Sequence, residues 1–85
     1  MLIMNLYVSN LDYSIQDDGL KKMFTNYGTV TSAKVVLDRT TGKSRGFGFV
    51  EMPDKNEAAK AISALNGSMS EGKPIRVSEA RPKSY

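Results

Sequence analysis

The octapeptide RGFGFVEM, Arg45 to Met52, sets Arg45, Phe47, Phe49 and Glu51 on one face of a period-two strand. Gly46, Gly48, Val50 and Met52 fall on the other face. Near the N-terminus, NLYVSN alternates in the same way, with Leu6 and Val8 against Asn5, Tyr7 and Ser9. The chemistry on offer is a non-covalent surface of flat rings beside charged groups. Reacting groups are scarce. The chain has neither histidine nor cysteine, so imidazole catalysis, thiolate nucleophiles and thiolate metal sites are excluded. Its carboxylates fall at helix starts (Asp17, Asp18, Asp54, Glu57) or singly on turns and strands, and no apolar pocket that would shift a pKa is suggested. A non-enzyme without cofactor or metal is expected.

Which face of RGFGFVEM meets water is a question of energy. Burying the aromatic face would take an arginine and a glutamate into the core, at several kcal/mol per ion after relaxation. An exposed aromatic ring forgoes only about 1.5–3 kcal/mol of burial. The charges decide, and the rings face out.

The elements that hold these strands follow in order. NLYVSN is a first strand ending in a turn at Asn10-Leu11-Asp12. GLKKMFTNYG places Leu20, Met23, Phe24 and Tyr27 on one helical stripe, with Gly28 expected at the C′ position. Ser14, Asp17 and Asp18 are candidate caps or first-turn acids for that helix, and Gly19 weakens its opening turn. SAKVVLD, residues 32–38, is a second strand and RTTGKS a basic, turn-rich loop, so that RGFGFVEM closes a hairpin. Asp54 and Glu57 are spaced as a capping box for a second helix with the stripe Ala58, Ala61, Ile62 and Leu65, ending at Asn66-Gly67. PIRVSEA, residues 74–80, is the last strand, with Ile75 and Val77 opposite Arg76 and Ser78. The β-α-β-β-α-β order predicts an α+β, ferredoxin-like fold, two helices on one face of a four-stranded antiparallel sheet. Those helices cover the face of Leu6, Val8, Gly48, Val50, Met52, Ile75 and Val77, where Gly48 suits close approach of a helix backbone. Tyr7, Phe47, Phe49, Arg45 and Arg76 are left bare.

A chain of 85 residues holds one domain with a modest core. The apolar start MLIMNLYV lacks a cationic n-region and a cleavage pattern and is too short to span a bilayer. A cytoplasmic protein without membrane contact is expected. The net charge of +3 is unevenly placed: residues 34–45 carry Lys34, Arg39, Lys43 and Arg45 against Asp38, and residues 73–85 carry Lys73, Arg76, Arg81 and Lys83 against Glu79. Two basic rims flanking bare rings suit a polyanion.

RGFGFVEM matches the octapeptide of the RNA recognition motif family at every fixed position except the last, and LYVSNL resembles the hexapeptide of its first strand. The resemblance covers residues 4–81, leaving a short basic tail at 82–85. It implies that the first and third strands are central neighbours and that Tyr7, Phe47 and Phe49 form one shelf, two or three bases wide. By the same resemblance Tyr7 and Phe47 each stack a base, Phe49 packs against sugars and Arg45 pairs with a phosphate of single-stranded RNA. Single-stranded DNA stays open as a ligand, because stacking does not sense the 2′-hydroxyl. By parity Lys34, Arg76 and Ser78 point to the same face, Lys43 overhangs it from the loop, and Arg81 closes over a bound strand from the tail. Asn5 stands on the shelf side where a basic residue is common in the family. Met52 replaces the final aromatic but faces the helices, where methionine fills a core gap. In size the chain is similar to small single-motif RNA-binding proteins of bacteria, and a post-transcriptional or RNA-chaperone role fits that likeness.

Other readings are weaker. TGKS lacks the leading glycine of a phosphate-binding loop, since position 37 is Leu37, and it runs into a strand instead of a helix. GFGFVE has two of the three glycines of a dinucleotide fingerprint. A protein-binding module is the competing class. Family members that have given up RNA usually lack the aromatic triad, and the first helix presents only Lys21, Lys22, Thr25 and Asn26 outward, with no apolar anchor for a protein partner.

Overall fold

The structure is a computed structural model in which residues 4–80 are described. Its elements are β1 (Met4–Ser9), α1 (Asp17–Thr25), β2 (Ser32–Leu37), β3 (Ser44–Met52), α2 (Lys55–Leu65), β4 (Met69–Ser70), β5 (Lys73–Pro74) and β6 (Arg76–Ala80). The main sheet is antiparallel in the order β2-β3-β1-β6, so β3 and β1 lie at its centre. Alternation along β1 and β3 sorts side chains by face. Leu6, Val8, Val50 and Met52 are fully buried, together with Ile75 and, almost fully, Val77. From the helices Leu20, Phe24, Ala58 and Ala61 pack onto that side, while Met23, Tyr27, Ile62 and Leu65 are half-buried at its margin. Both helices contact the sheet from this one side, α1 over β2 and β3 and α2 over β6, β1 and β3.

Several local expectations are corrected. α1 ends at Thr25 with a tight turn, the Tyr27 amide donating to the Phe24 carbonyl at 3.0 Å, and Gly28 is not in the left-handed region. The space where Gly28 would carry a side chain is filled by Glu57. That carboxylate accepts from the Thr29 amide at 3.0 Å, so it joins α2 to the loop after α1 and does not complete the capping box. Asp54 performs its half of the box, accepting from the amides of Asn56 (2.8 Å) and Glu57 (3.0 Å). None of Ser14, Asp17 and Asp18 caps α1, although Asp17 and Asp18 do stand in its first turn as the expected acids. Gln16 occupies the N-cap without a side-chain bond, Ser14 bonds back to Asp12, and Asp17 accepts from the Val35 amide at 2.7 Å, tying α1 to β2.

Gly48 meets the Lys34 carbonyl, the Val35 Cα and the Leu20 side chain, so its missing Cβ serves close approach of β2 and not of a helix backbone. The last strand begins at Arg76, later than expected. Residues 69–74 form a separate hairpin, β4 with β5, turned by Glu71 and Gly72, both at positive φ.

Candidate nucleic-acid interface

The register lines up one row across the uncovered face: Lys34 opposite Phe49, Phe49 opposite Tyr7, and Tyr7 opposite Ser78. Directly opposed residues on one face lie close enough for their side chains to touch. The Tyr7 ring centroid is 5.9 Å from Phe47 and 5.6 Å from Phe49, and Phe47 and Phe49 are 6.4 Å apart. All three separations fall in the range of favourable ring pairs. Tyr7 and Phe47 are half-buried by their neighbours and Phe49 is 42% exposed, although none lies under a helix. The planes of Phe47 and Phe49 stand at 88°, and Tyr7 is tilted by 49° to both. Two perpendicular rings cannot both lie flat against bases stacked in parallel.

Arg45 is exposed with its guanidinium carbon 5.8 Å from the Phe47 centroid, at the outer limit of cation–π contact. A bulge interrupts the pairing beside it. Val35 pairs with Gly48 but Leu37 with Ser44, so two steps of β2 face four of β3. Gly46 absorbs the bulge at φ +84°, and its carbonyl accepts from the Leu11 amide at 2.8 Å. Because the excess is even, parity survives, and Arg45, Phe47 and Phe49 share the open face.

Of the other expected site residues, Ser78 sits in the central row and Arg76 lies opposite Ser9 on β6, both exposed. Asn5 is half-buried opposite Glu51, which in turn faces Ser32, so this end of the face is neutral to acidic. Lys43 is exposed in the β2–β3 loop. That loop is organised by Asp38, whose carboxylate accepts from the amides of Thr40 (2.7 Å) and Thr41 (3.3 Å). Those two amides first, and the nearby charge of Arg45 after them, hold the Asp38 carboxyl below the usual carboxylate range. Arg81 lies outside the described residues. Tyr13, in the β1–α1 loop, was not legible as a site residue. It is 65% exposed and stands beside Gly46 at the edge of the open face. Its turn falls outside any strand or helix period, so periodicity gives no signal for it.

Among the described residues no three histidine, cysteine, aspartate or glutamate side chains are placed to hold a metal ion, and no helix is long and apolar enough to cross a membrane.

A central β1–β3 pair carrying three mutually touching rings, on a sheet backed by helices on one side only, defines a class of single-domain binding module. The family model described as the RNA recognition motif matches residues 6–76. The chain belongs to the RNA recognition motif family. It is 46% identical over 80 residues to the putative RNA-binding protein RbpE of Nostoc sp., spanning 94% of this chain and 81% of that protein. The crystal structure of RNA-binding protein PG1 superposes with a TM-score of 0.89 at 49% identity, covering 94% of this chain and 99% of the other. A solved Sxl-lethal protein/RNA complex superposes with a TM-score of 0.85 at 42% identity, over 89% of this chain and 47% of that one.

Proposed function

We propose that this chain binds single-stranded RNA across the open face of its sheet. Tyr7 and Phe47 stack one base each. Phe49, perpendicular to Phe47, packs edge or face against the intervening sugars. Arg45 pairs with a phosphate, Lys43 and Lys34 hold the backbone on the β2 side, and Arg76 and Ser78 do so on the β6 side. Asn5 offers an amide to a base edge, and Arg81 completes the basic rim from the tail. The domain spans residues 4–81, with 82–85 as a short basic tail. The one observation that carries the reading is the cluster of Tyr7, Phe47 and Phe49, all within 6.4 Å of one another on a face no helix covers. A relative named as an RNA-binding protein and a structural neighbour solved with RNA support it. The chain acts as a binding module and not as an enzyme, in the cytoplasm, in a post-transcriptional or RNA-chaperone role.

Each stacked base contributes about 1–3 kcal/mol and any base serves. About three neutralised phosphates give a log-affinity against log-salt slope of roughly −2, from about −0.7 per contact on a single strand. Titration with randomised short RNA, followed by backbone NMR shifts, tests the reading. Movement centred on β1, β3 and the β2–β3 loop supports it, whereas movement confined to α1 and α2 refutes it.

A further inference from the structure

Beyond the triad, the open face continues into a cleft that no family motif assigns. Its volume is about 260 Å³ and its walls include Tyr7, Phe47, Arg45, Tyr13 and Lys73. That is just under the roughly 300 Å³ at which sites for drug-sized ligands begin, and it suits one nucleobase better than a larger group.

The position of Tyr13 is built by its surroundings. Leu11, two residues before it, is buried and bonded through its amide to the Gly46 carbonyl. Asp12 accepts from both the amide and the hydroxyl of Ser14, closing the turn around Tyr13. The Lys73 ammonium from β5 stands over the Tyr13 ring, 4.8 Å from its centroid. Asn10 ties the two loops together, its side-chain amide donating to the Pro74 carbonyl at 2.7 Å. Tyr13 also borders a second cleft of about 480 Å³ with Lys43, Ser44, Arg45 and Asp38. The ring is thus a post between the stacking triad and the basic β2–β3 loop.

We propose that Tyr13 is a further stacking residue, backed by Lys73, which seats one nucleotide next to the pair held by Tyr7 and Phe47. The inference rests on the RNA-binding reading and extends it. A flat ring offers a π-face to any base. Arg45 and Lys73 both line this cleft and supply positive charge for the phosphates flanking that base. Two cations beside a ring suit a nucleotide better than the apolar anchor of a protein partner. The seat is filled only when the strand is long enough to pass the triad.

Wild type, Tyr13→Ala, Tyr13→Phe and Lys73→Ala are titrated with a di- and a hexanucleotide of uridylate, with fluorescence anisotropy as readout. Tyr13→Ala is expected to bind the hexanucleotide about tenfold more weakly and the dinucleotide, which fills only the Tyr7 and Phe47 positions, unchanged. Tyr13→Phe keeps wild-type affinity for both. Lys73→Ala makes the salt slope shallower by about 0.7 for the hexanucleotide alone. An unchanged hexanucleotide affinity in Tyr13→Ala overturns the proposal and makes the ring a local support for Lys73. Equal losses on both lengths overturn it too, because they report a disturbed triad. Failure of the wild type to bind either oligonucleotide would instead strike at the RNA-binding reading itself.

Discussion

Replacing Phe47 and Phe49 together with alanine separates binding from folding. Phe47 contributes about 1–3 kcal/mol by stacking on a base, and Phe49 adds its packing against the sugars. Simple addition overstates the pair, since the two centroids are 6.4 Å apart and both rings also touch Tyr7. A combined loss of about 3 kcal/mol follows, which at 1.4 kcal/mol per tenfold is roughly a 150-fold weaker dissociation constant. Little of this falls on the fold. Phe49 is 42% exposed, and the face above both rings is uncovered, so truncation opens no cavity and forfeits only the half-buried area. Complete burial of such a side chain is worth about 1.5–3 kcal/mol, and half of that for each ring gives about 2 kcal/mol in all. A domain of 85 residues has about 4–13 kcal/mol to draw on, at 0.05–0.15 per residue. The variant should therefore melt cooperatively at a lower temperature by circular dichroism and lose most RNA affinity by anisotropy. The single variants refine the test, with Phe47→Ala losing more than Phe49→Ala if Phe47 is the ring that lies flat on a base. Full-strength binding by the folded double variant would refute the stacking assignment.

Lys43→Ala should weaken binding modestly and alike for all sequences, and should make the salt slope shallower by about 0.7, readable from titrations at several salt concentrations. A sequence-dependent loss would show that Lys43 reads bases. Gly48→Ala drives a Cβ into the Lys34 carbonyl and to 3.0 Å from the Val35 Cα, where backbone cannot yield cheaply. A cost of about 1–3 kcal/mol should lower the melting temperature by about 4–8 °C per kcal/mol, and an unshifted melt would contradict the close β2–β3 approach. Asp38 tests the loop through pH. Its folded pKa is lowered, so its contribution is complete above the unfolded aspartate value of about 3.9 and disappears as pH falls through the lower folded value. The amides of Thr40 and Thr41 should titrate together with the Asp38 carboxyl below that value in NMR spectra, and a midpoint above it would mean that the loop bonds are absent in solution.

The sorting of residues onto faces was legible because two independent constraints agree. Period-two alternation divides Arg45, Phe47, Phe49 and Glu51 from Gly46, Gly48, Val50 and Met52, and the cost of burying ions says which set stays wet. The helix stripes were equally legible, since Leu20, Phe24, Ala58 and Ala61 all reach the core. What escaped depends on partners distant in the chain. Glu57 follows Asp54 at capping-box spacing, yet its carboxylate goes to Thr29, 28 residues away. Gly48 looked like a seat for a helix, but the backbone it admits is that of β2. The bulge at Gly46 leaves side-chain parity intact, so alternation cannot reveal it. Tyr13 belongs to a short loop whose place is fixed by Gly46, by Asp12 with Ser14, and by β5, and none of these contacts has a local signature.

The geometry of the open face divides affinity from choice of sequence. Tyr7, Phe47 and Phe49 stand on the two central strands, each paired on both sides, and they pack against one another. Because each ring already packs against the other two, binding a base costs less further side-chain entropy than it would on isolated rings. Stacking on such rings does not distinguish one base from another. Discrimination must come from hydrogen-bonding groups that reach base edges, and on the described face these lie around the triad: Asn5 with Glu51 and Ser32 at one end, and Ser78 beside Tyr7 on β6. Changes in the triad should consequently scale affinity for every sequence together, while changes at Asn5, Glu51 or Ser78 should alter the ratio between sequences.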